Sequence, residues 1–197
     1  MRDMLKLLIT IAVFSSFSGG LLAAIQSGTK ERIEYQQLKF VKGPTLQRIM
    51  EGCSNDPLVD RFKLTDGKVE RSFFVGVFDG EPNTVALETF GKGYGGEIGV
   101  IVAINMEKDE IVGIGVTTHS ETPGVGARAK DDPSFAAQFT GMSVKEPFKV
   151  KADGGKIDAV TGATISSRGV CGALVDAAEV YMRLKTDIVG KVKAFKT

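Results

Sequence analysis

From residue 69 to residue 118 the chain repeats one pattern: runs rich in β-branched and aromatic residues, joined by short polar links. The runs cover 69–78, 84–90, 98–104 and 111–118, each of strand length. Residues 107–110, Glu-Lys-Asp-Glu, suit a hairpin connection between the last two. Consecutive strands with short links favour an antiparallel sheet with helices packed on it, an α+β domain. Short helices are predicted over 44–51, with Pro44 in the first turn and Gly52 ending it, and over 132–139. Asp131 and Asp132 read as its N-cap and first-turn charges. Residues 148–151 and 157–160 are predicted as brief strands leading into a C-terminal helix. From Arg168, the apolar residues Val170, Leu174, Ala177, Ala178 and Tyr181 recur with helical spacing, while Asp176, Glu179 and Arg183 take the other side. Ser166 or Ser167 suits the N-cap of that helix, with Thr164 just outside its mouth.

The N-terminus departs from this pattern. Leu7 to Ile25 carries no charge, with Arg2 and Lys6 before it and Lys30, Glu31 and Arg32 after it. One helix of that length crosses a bilayer. Serines and glycines dilute the run, so a cleavable signal peptide ending near Ala23-Ala24 competes with a retained anchor. The anchor is the expectation: residues 1–6 form a cytoplasmic tail and 7–25 a single transmembrane segment. Residues 26–60 then hold a stalk (or a helical continuation) and a short helix, and 61–197 form an extracytoplasmic domain. The basic residues on the short side favour that orientation weakly.

Composition narrows the chemistry. The chain is 43% hydrophobic and 25% charged, as ordinary globular proteins are. A net charge of +1 without a clustered basic surface sets nucleic acid aside. Cys53 and Cys171 form no disulfide framework, and Cys171 beside the apolar helix face reads as a small buried residue. The single histidine, His119, rules out a multi-histidine metal site. His119 has no serine or cysteine beside it that stands out as an activated nucleophile, so its role is structural or supporting. Gly91-Lys-Gly-Tyr-Gly-Gly96 matches G-x-G-x-x-G, but strand material follows it, so the dinucleotide reading fails. What remains is a turn or a close approach to a ligand.

The sequence around Thr164 carries the strongest functional signal. Asp158-Ala-Val-Thr161-Gly162-Ala163-Thr164 resembles the flavinylation motif D-x-x-(S/T)-G-A-(T/S), whose last hydroxyl is esterified to the phosphate of FMN. His119-Ser-Glu121-Thr122-Pro-Gly124-Val-Gly126 and Gly93-Tyr94-Gly95-Gly96 resemble what surrounds the flavin in G subunits of Rnf electron-transport complexes. The C subunit of the sodium-pumping NADH:quinone reductase is similar and stands as an alternative, as does a membrane-tethered scaffold without flavin. The resemblance runs from about Phe90 to Tyr181, and Val125 stands where the family usually has Leu.

It implies covalent FMN on Thr164, with Thr161, Gly162, Ala163, Asp158 and Ser166 around the attachment and Ser167 close by. Glu121, Thr122, Gly124, Gly126, Tyr94 and Gly95 are implied as the flavin's lining. A separate flavin transferase, using FAD and a divalent metal, would make the bond. The implied function is an electron relay, inactive alone. It would serve a complex of membrane and peripheral subunits that moves electrons between ferredoxin and NAD and translocates Na⁺ or H⁺ across a bacterial or archaeal cell membrane.

Overall fold

The structure, a computed structural model, describes residues 2–195. The chain divides into two units, Met1–Lys39 and Phe40–Thr197. In the first, α1 (Arg2–Gln37) is one unbroken helix, so residues 26–37 continue the helix rather than forming an irregular stalk. Residues 2–30 are long and apolar enough to cross a membrane. Leu8, Phe14, Phe17 and Leu22 are each 65–70% exposed, a face that lipid would cover at no cost and water would not. The 36 residues of α1 rise about 54 Å, more than the ~30 Å of a hydrocarbon core. A π-helical turn, Leu38–Lys42, precedes α2 (Gly43–Ile49). Pro44 in the first turn of α2 has no N–H to offer a carbonyl four residues back, and the helical ladder widens just before it.

The second unit is built on a five-stranded antiparallel meander in the order β1-β2-β3-β4-β5. Its strands are β1 (Arg61–Asp66), β2 (Val69–Phe78), β3 (Glu81–Lys92), β4 (Glu97–Asn105) and β5 (Glu110–Val116). The four predicted runs are β2 to β5. Asp79 and Gly80 link β2 to β3 with φ of 55° and 80°, the pair of left-handed residues that a tight hairpin turn needs. β1 is an additional edge strand, absent from the sequence expectation. Phe62, Leu64 and Asp66 turn inward on it and only the first two are apolar, so its apolar periodicity is brief.

Two helical layers cover the sheet. α5 (Thr164–Val192) lies on one face, where Phe73, Val75, Val85, Leu87, Val100 and Val102 join its Val170, Leu174, Ala177, Tyr181 and Ile188 in one core. The alternate residues Phe74, Ala86, Ile101 and Ala103 are equally buried but lie outside that core. α2 packs against β5 and β4, with Ile49 over Gly113 and Thr45 over Gly115. Being covered on both faces, β4 reads as a nearly continuous apolar run rather than an alternation.

The predicted helix over 132–139 is observed as α4 (Pro133–Ala137), capped by Asp132, whose carboxylate accepts the Ser134 N–H. Asp131 instead ends the short α3 (Arg128–Asp131). The brief strands predicted at 148–151 and 157–160 are not formed. A single parallel bridge joins Val150 to Ile157, and Lys151–Asp153 winds into a 3₁₀ turn. Too few backbone groups pair there to make a ladder.

The turn between β4 and β5 is tied to α5 through Asp109. Its carboxylate accepts from the Tyr181 hydroxyl at 2.7 Å and from Lys185 Nζ at 2.5 Å. Burial opposes ionisation of Asp109, but these two bonds and the charges of Lys185 and Lys145 outweigh it and hold its pKa below the ordinary value. A carboxylate with a lowered folded-state pKa adds stability above its unfolded pKa, about 3.9, and loses that contribution as pH falls through the folded value. Asp109→Ala strands the buried Tyr181 hydroxyl and puts alanine at a φ of 55°, with an expected cost of about 2–4 kcal/mol. Asp109→Asn keeps an acceptor and tolerates that backbone, so it should cost less and flatten the acid limb of stability. Urea unfolding at pH 7 and pH 2.5 reads both effects, and equal losses for the two variants would contradict this role.

Candidate functional site

The chain approaches α5 through a tight turn. Ala163 donates its N–H to the Val160 carbonyl at 2.8 Å, and Gly162 sits at φ +78°, a conformation that side chains rarely adopt. The helix then begins at Thr164, earlier than the sequence expectation. Ser166 and Ser167 are not caps: both lie buried inside the first turn. Ser167 Oγ accepts the Val160 N–H at 3.0 Å and donates to the Ala163 carbonyl at 3.0 Å, so the turn is pinned from within the helix. The pattern of apolar spacing hid this, because the first turn is built of small and hydroxyl residues.

Thr164 is half-buried and has no side-chain hydrogen bond among the described residues. Ser167 N–H is the amide that reaches back to Ala163, at 2.9 Å. The amides of Thr164, Ile165 and Ser166 precede it, and these are the groups a helix leaves open for an anion.

Three segments meet here around a cleft of about 410 Å³: the β3–β4 loop, the loop after β5, and the start of α5. Its lining is Tyr94, Glu121, Thr122, Val125, Gly126 and residues 162–166. The volume lies within the ~300–1,000 Å³ of small-molecule sites. Around the cleft, Tyr94 is 74%, Ile165 47% and Val125 44% exposed. Apolar side chains that could be buried elsewhere are thus left open beside it, a surface suited to a flat ring. In the loop after β5, the N–H groups of Val125 and Ala127 both turn in to the Thr122 carbonyl.

Glu121 is the one acidic residue in the lining, and it is only 6% exposed. Its Oε1 accepts the Gly95 N–H at 2.7 Å, its Oε2 accepts from Ser166 Oγ, and its own N–H goes to His119 Nδ1 at 3.3 Å. Burial raises the cost of its charge. The Ser166 hydroxyl, the amides of Gly95 and Tyr94, and His119 outweigh that cost and keep its pKa below the usual carboxylate range. The glycines of the two loops make room for this group. A Cβ at Gly93 would sit 2.5 Å from Oε1, and one at Gly126 would sit 2.8 Å from Oε2. Within the G-x-G-x-x-G run, Gly93 thus makes room for a carboxylate.

The residues singled out from the sequence divide into those at the cleft and those beside it. Thr164, Gly162, Ala163, Ser166, Glu121, Thr122, Gly126 and Tyr94 line it. Gly95 braces Glu121 from behind, and Gly124 supplies a left-handed turn at φ +71°. Thr161 is exposed and outside the lining. Asp158 is outside it too: its carboxylate takes Lys151 Nζ at 2.7 Å and its backbone pairs with Gln138. His119 lies beside Glu121, its Nδ1 accepting the Glu121 N–H. Cys171 is buried, and the loss of solvent raises its thiol pKa to about 11, so it is inert. Ile165 lines the cleft without having been singled out. Its exposure on the first helical turn is a tertiary feature that the apolar spacing further along could not signal.

Residues 93–179 match a family model described as an FMN-binding domain. The chain is 30% identical to the G subunit of the ion-translocating oxidoreductase complex of Vibrio parahaemolyticus, over 93% of this chain and 92% of that protein. It is 34% identical to the corresponding G subunit of Vibrio cholerae, over 86% of each. Among solved structures, the C subunit of the Na⁺-translocating NADH-quinone reductase from Parabacteroides distasonis is 27% identical. That match has a TM-score of 0.48 and covers 57% of this chain and 61% of that one.

Proposed function

The chain belongs to the family of G subunits of ion-translocating oxidoreductase complexes, and we propose that it is the electron-relay subunit of such a complex, carrying FMN esterified to Thr164. The observation that carries this reading is the Thr164 hydroxyl at the cleft, without a hydrogen-bond partner among the described residues, on the first turn of a long helix. The phosphate would rest on the amides of that turn. Tyr94, Val125 and Ile165 would face the ring, and the loop after β5 would offer amides to its polar edge. Bound there, the flavin supplies one- and two-electron chemistry, and the protein sets its orientation and potential.

Attachment needs a transferase. The Thr164 oxygen attacks the FMN phosphorus of FAD, the Oγ–P bond forms, the pyrophosphate linkage breaks, AMP leaves and the hydroxyl proton is lost. Asp158, outside the cleft on an exposed turn, suits recognition by that enzyme better than contact with the flavin. We assign α1 as the anchor, with the domain on the extracytoplasmic side, passing electrons between neighbouring subunits on the path between ferredoxin and NAD. A covalent link keeps the flavin from being lost there.

The test is denaturing electrophoresis of the full chain made in cells that hold the transferase, viewed under ultraviolet light. A fluorescent band at the mass of the chain is expected. A dark band supports a tethered scaffold instead.

A further inference from the structure

Glu121 combines features that positioning alone does not require. Its carboxylate is buried in the cleft wall, and among the described residues no lysine or arginine pairs with it. The groups that solvate it are dipoles, the Ser166 hydroxyl and the Gly95 amide. His119 accepts the Glu121 N–H through Nδ1, so its ring touches the backbone of Glu121 rather than its carboxylate. Dipoles stabilise an ionised group without cancelling it, so a full negative charge projects into the cleft. Buried charges usually carry a counter-ion, because desolvation is costly. Here the glycines at Gly93 and Gly126 admit one that has no lysine or arginine partner among the described residues.

We propose that the Glu121 carboxylate is a fixed negative charge in the wall of the flavin cleft that holds the reduction potential of the bound flavin down. The inference rests on the reading of the cleft as an FMN site. Two electrons from a donor and one proton from solvent leave the flavin ring with one added negative charge. A like charge nearby in a medium of low dielectric opposes that addition. Removing it favours the reduced flavin, and the midpoint potential rises. Glu121 is thereby a tuning residue as well as a brace between the two loops and α5.

The experiment is a spectroelectrochemical titration at pH 8 of the full-length, flavin-loaded protein, with dithionite as reductant. Glu121→Gln keeps an acceptor of the same size but no charge, and its midpoint should lie above that of the parent. Glu121→Asp keeps the charge and should stay close to the parent. A purely structural brace predicts no such split. Parent-like potentials in Glu121→Gln, or equal shifts in the two variants, overturn the proposal. If Glu121→Gln does not hold flavin, Ser166→Ala decides. Stripping a donor from the carboxylate should move the midpoint down, and an unchanged or higher value overturns the proposal. An unmodified parent protein would instead overturn the cofactor reading itself, which separates the two failures.

Discussion

Gly91→Ala is expected to cost the fold about 3 kcal/mol or more, although Gly91 touches neither the cleft nor α2. A Cβ at this position would lie 1.8 Å from the Gly169 carbonyl oxygen and 2.8 Å from the Ala173 N–H nitrogen. Both atoms belong to the backbone of α5, so no side-chain rotation relieves the clash. The helix must lift from β3, and overpacking of this kind costs about 1–3 kcal/mol even where side chains can yield. Thr89 donates to the Ala173 carbonyl at 2.7 Å in the same contact and would be lost with it. Against a domain stability of about 5–15 kcal/mol, the change is large. It should lower the melting temperature of the detergent-solubilised chain by roughly 6–12 °C or more. Gly172→Ala on the same helix is the control. No atom lies within 4 Å of its Cβ position, so the gain in helix propensity should leave stability equal or up to about 1 kcal/mol higher. Equal melting temperatures for the two variants would contradict the packing described here.

Thr164→Ala should abolish covalent flavin while leaving the fold intact. The hydroxyl has no partner among the described residues and the side chain is half-buried, so stability should change by no more than about 0.5–1 kcal/mol. The loss of flavin should be complete, since alanine has no oxygen to bond to phosphorus. Thr164→Ser restores a hydroxyl and should restore attachment in part or in full. Thr161→Ala, outside the lining, should remain loaded. In-gel fluorescence at matched protein amounts reads all three. Fluorescence that survives in Thr164→Ala and disappears in Thr161→Ala would move the attachment site.

Much of this arrangement was legible before the structure because local and tertiary preferences agree. β2 to β5 combine β-branched runs with short polar links, and the apolar stripe of α5 is long enough to stand out. β1 escaped notice because an edge strand needs only one inward side, yet Asp66-Gly67 announces a hairpin there, with Gly67 at φ +64°. The early start of α5 was hidden for a different reason. Its first turn is held by Ser167 bonding backward to Val160 and Ala163 rather than by a cap in front. The Glu121–Ser166 bond spans segments far apart in sequence, and no local pattern encodes it. The same is true of the contact between Gly91 and Gly169. A glycine that admits another backbone looks, in one dimension, like a glycine in a turn.

The motif around Thr164 stood out in the sequence because a modifying enzyme must read it as a contiguous stretch. The lining of the cleft was partly legible for the opposite reason. Its loops are rich in glycine and proline, but which side chains they turn inward depends on a carboxylate that none of them contains except the loop after β5.

The most direct measurement is fragmentation mass spectrometry of the tryptic peptide 157–168 from the full chain, purified from cells that hold the transferase. That peptide should be heavier than its amino acids by FMN less one water, with the added mass assigned to Thr164. Recovery of the peptide at its unmodified mass alone, or with the group on Thr161, Ser166 or Ser167, would contradict the account.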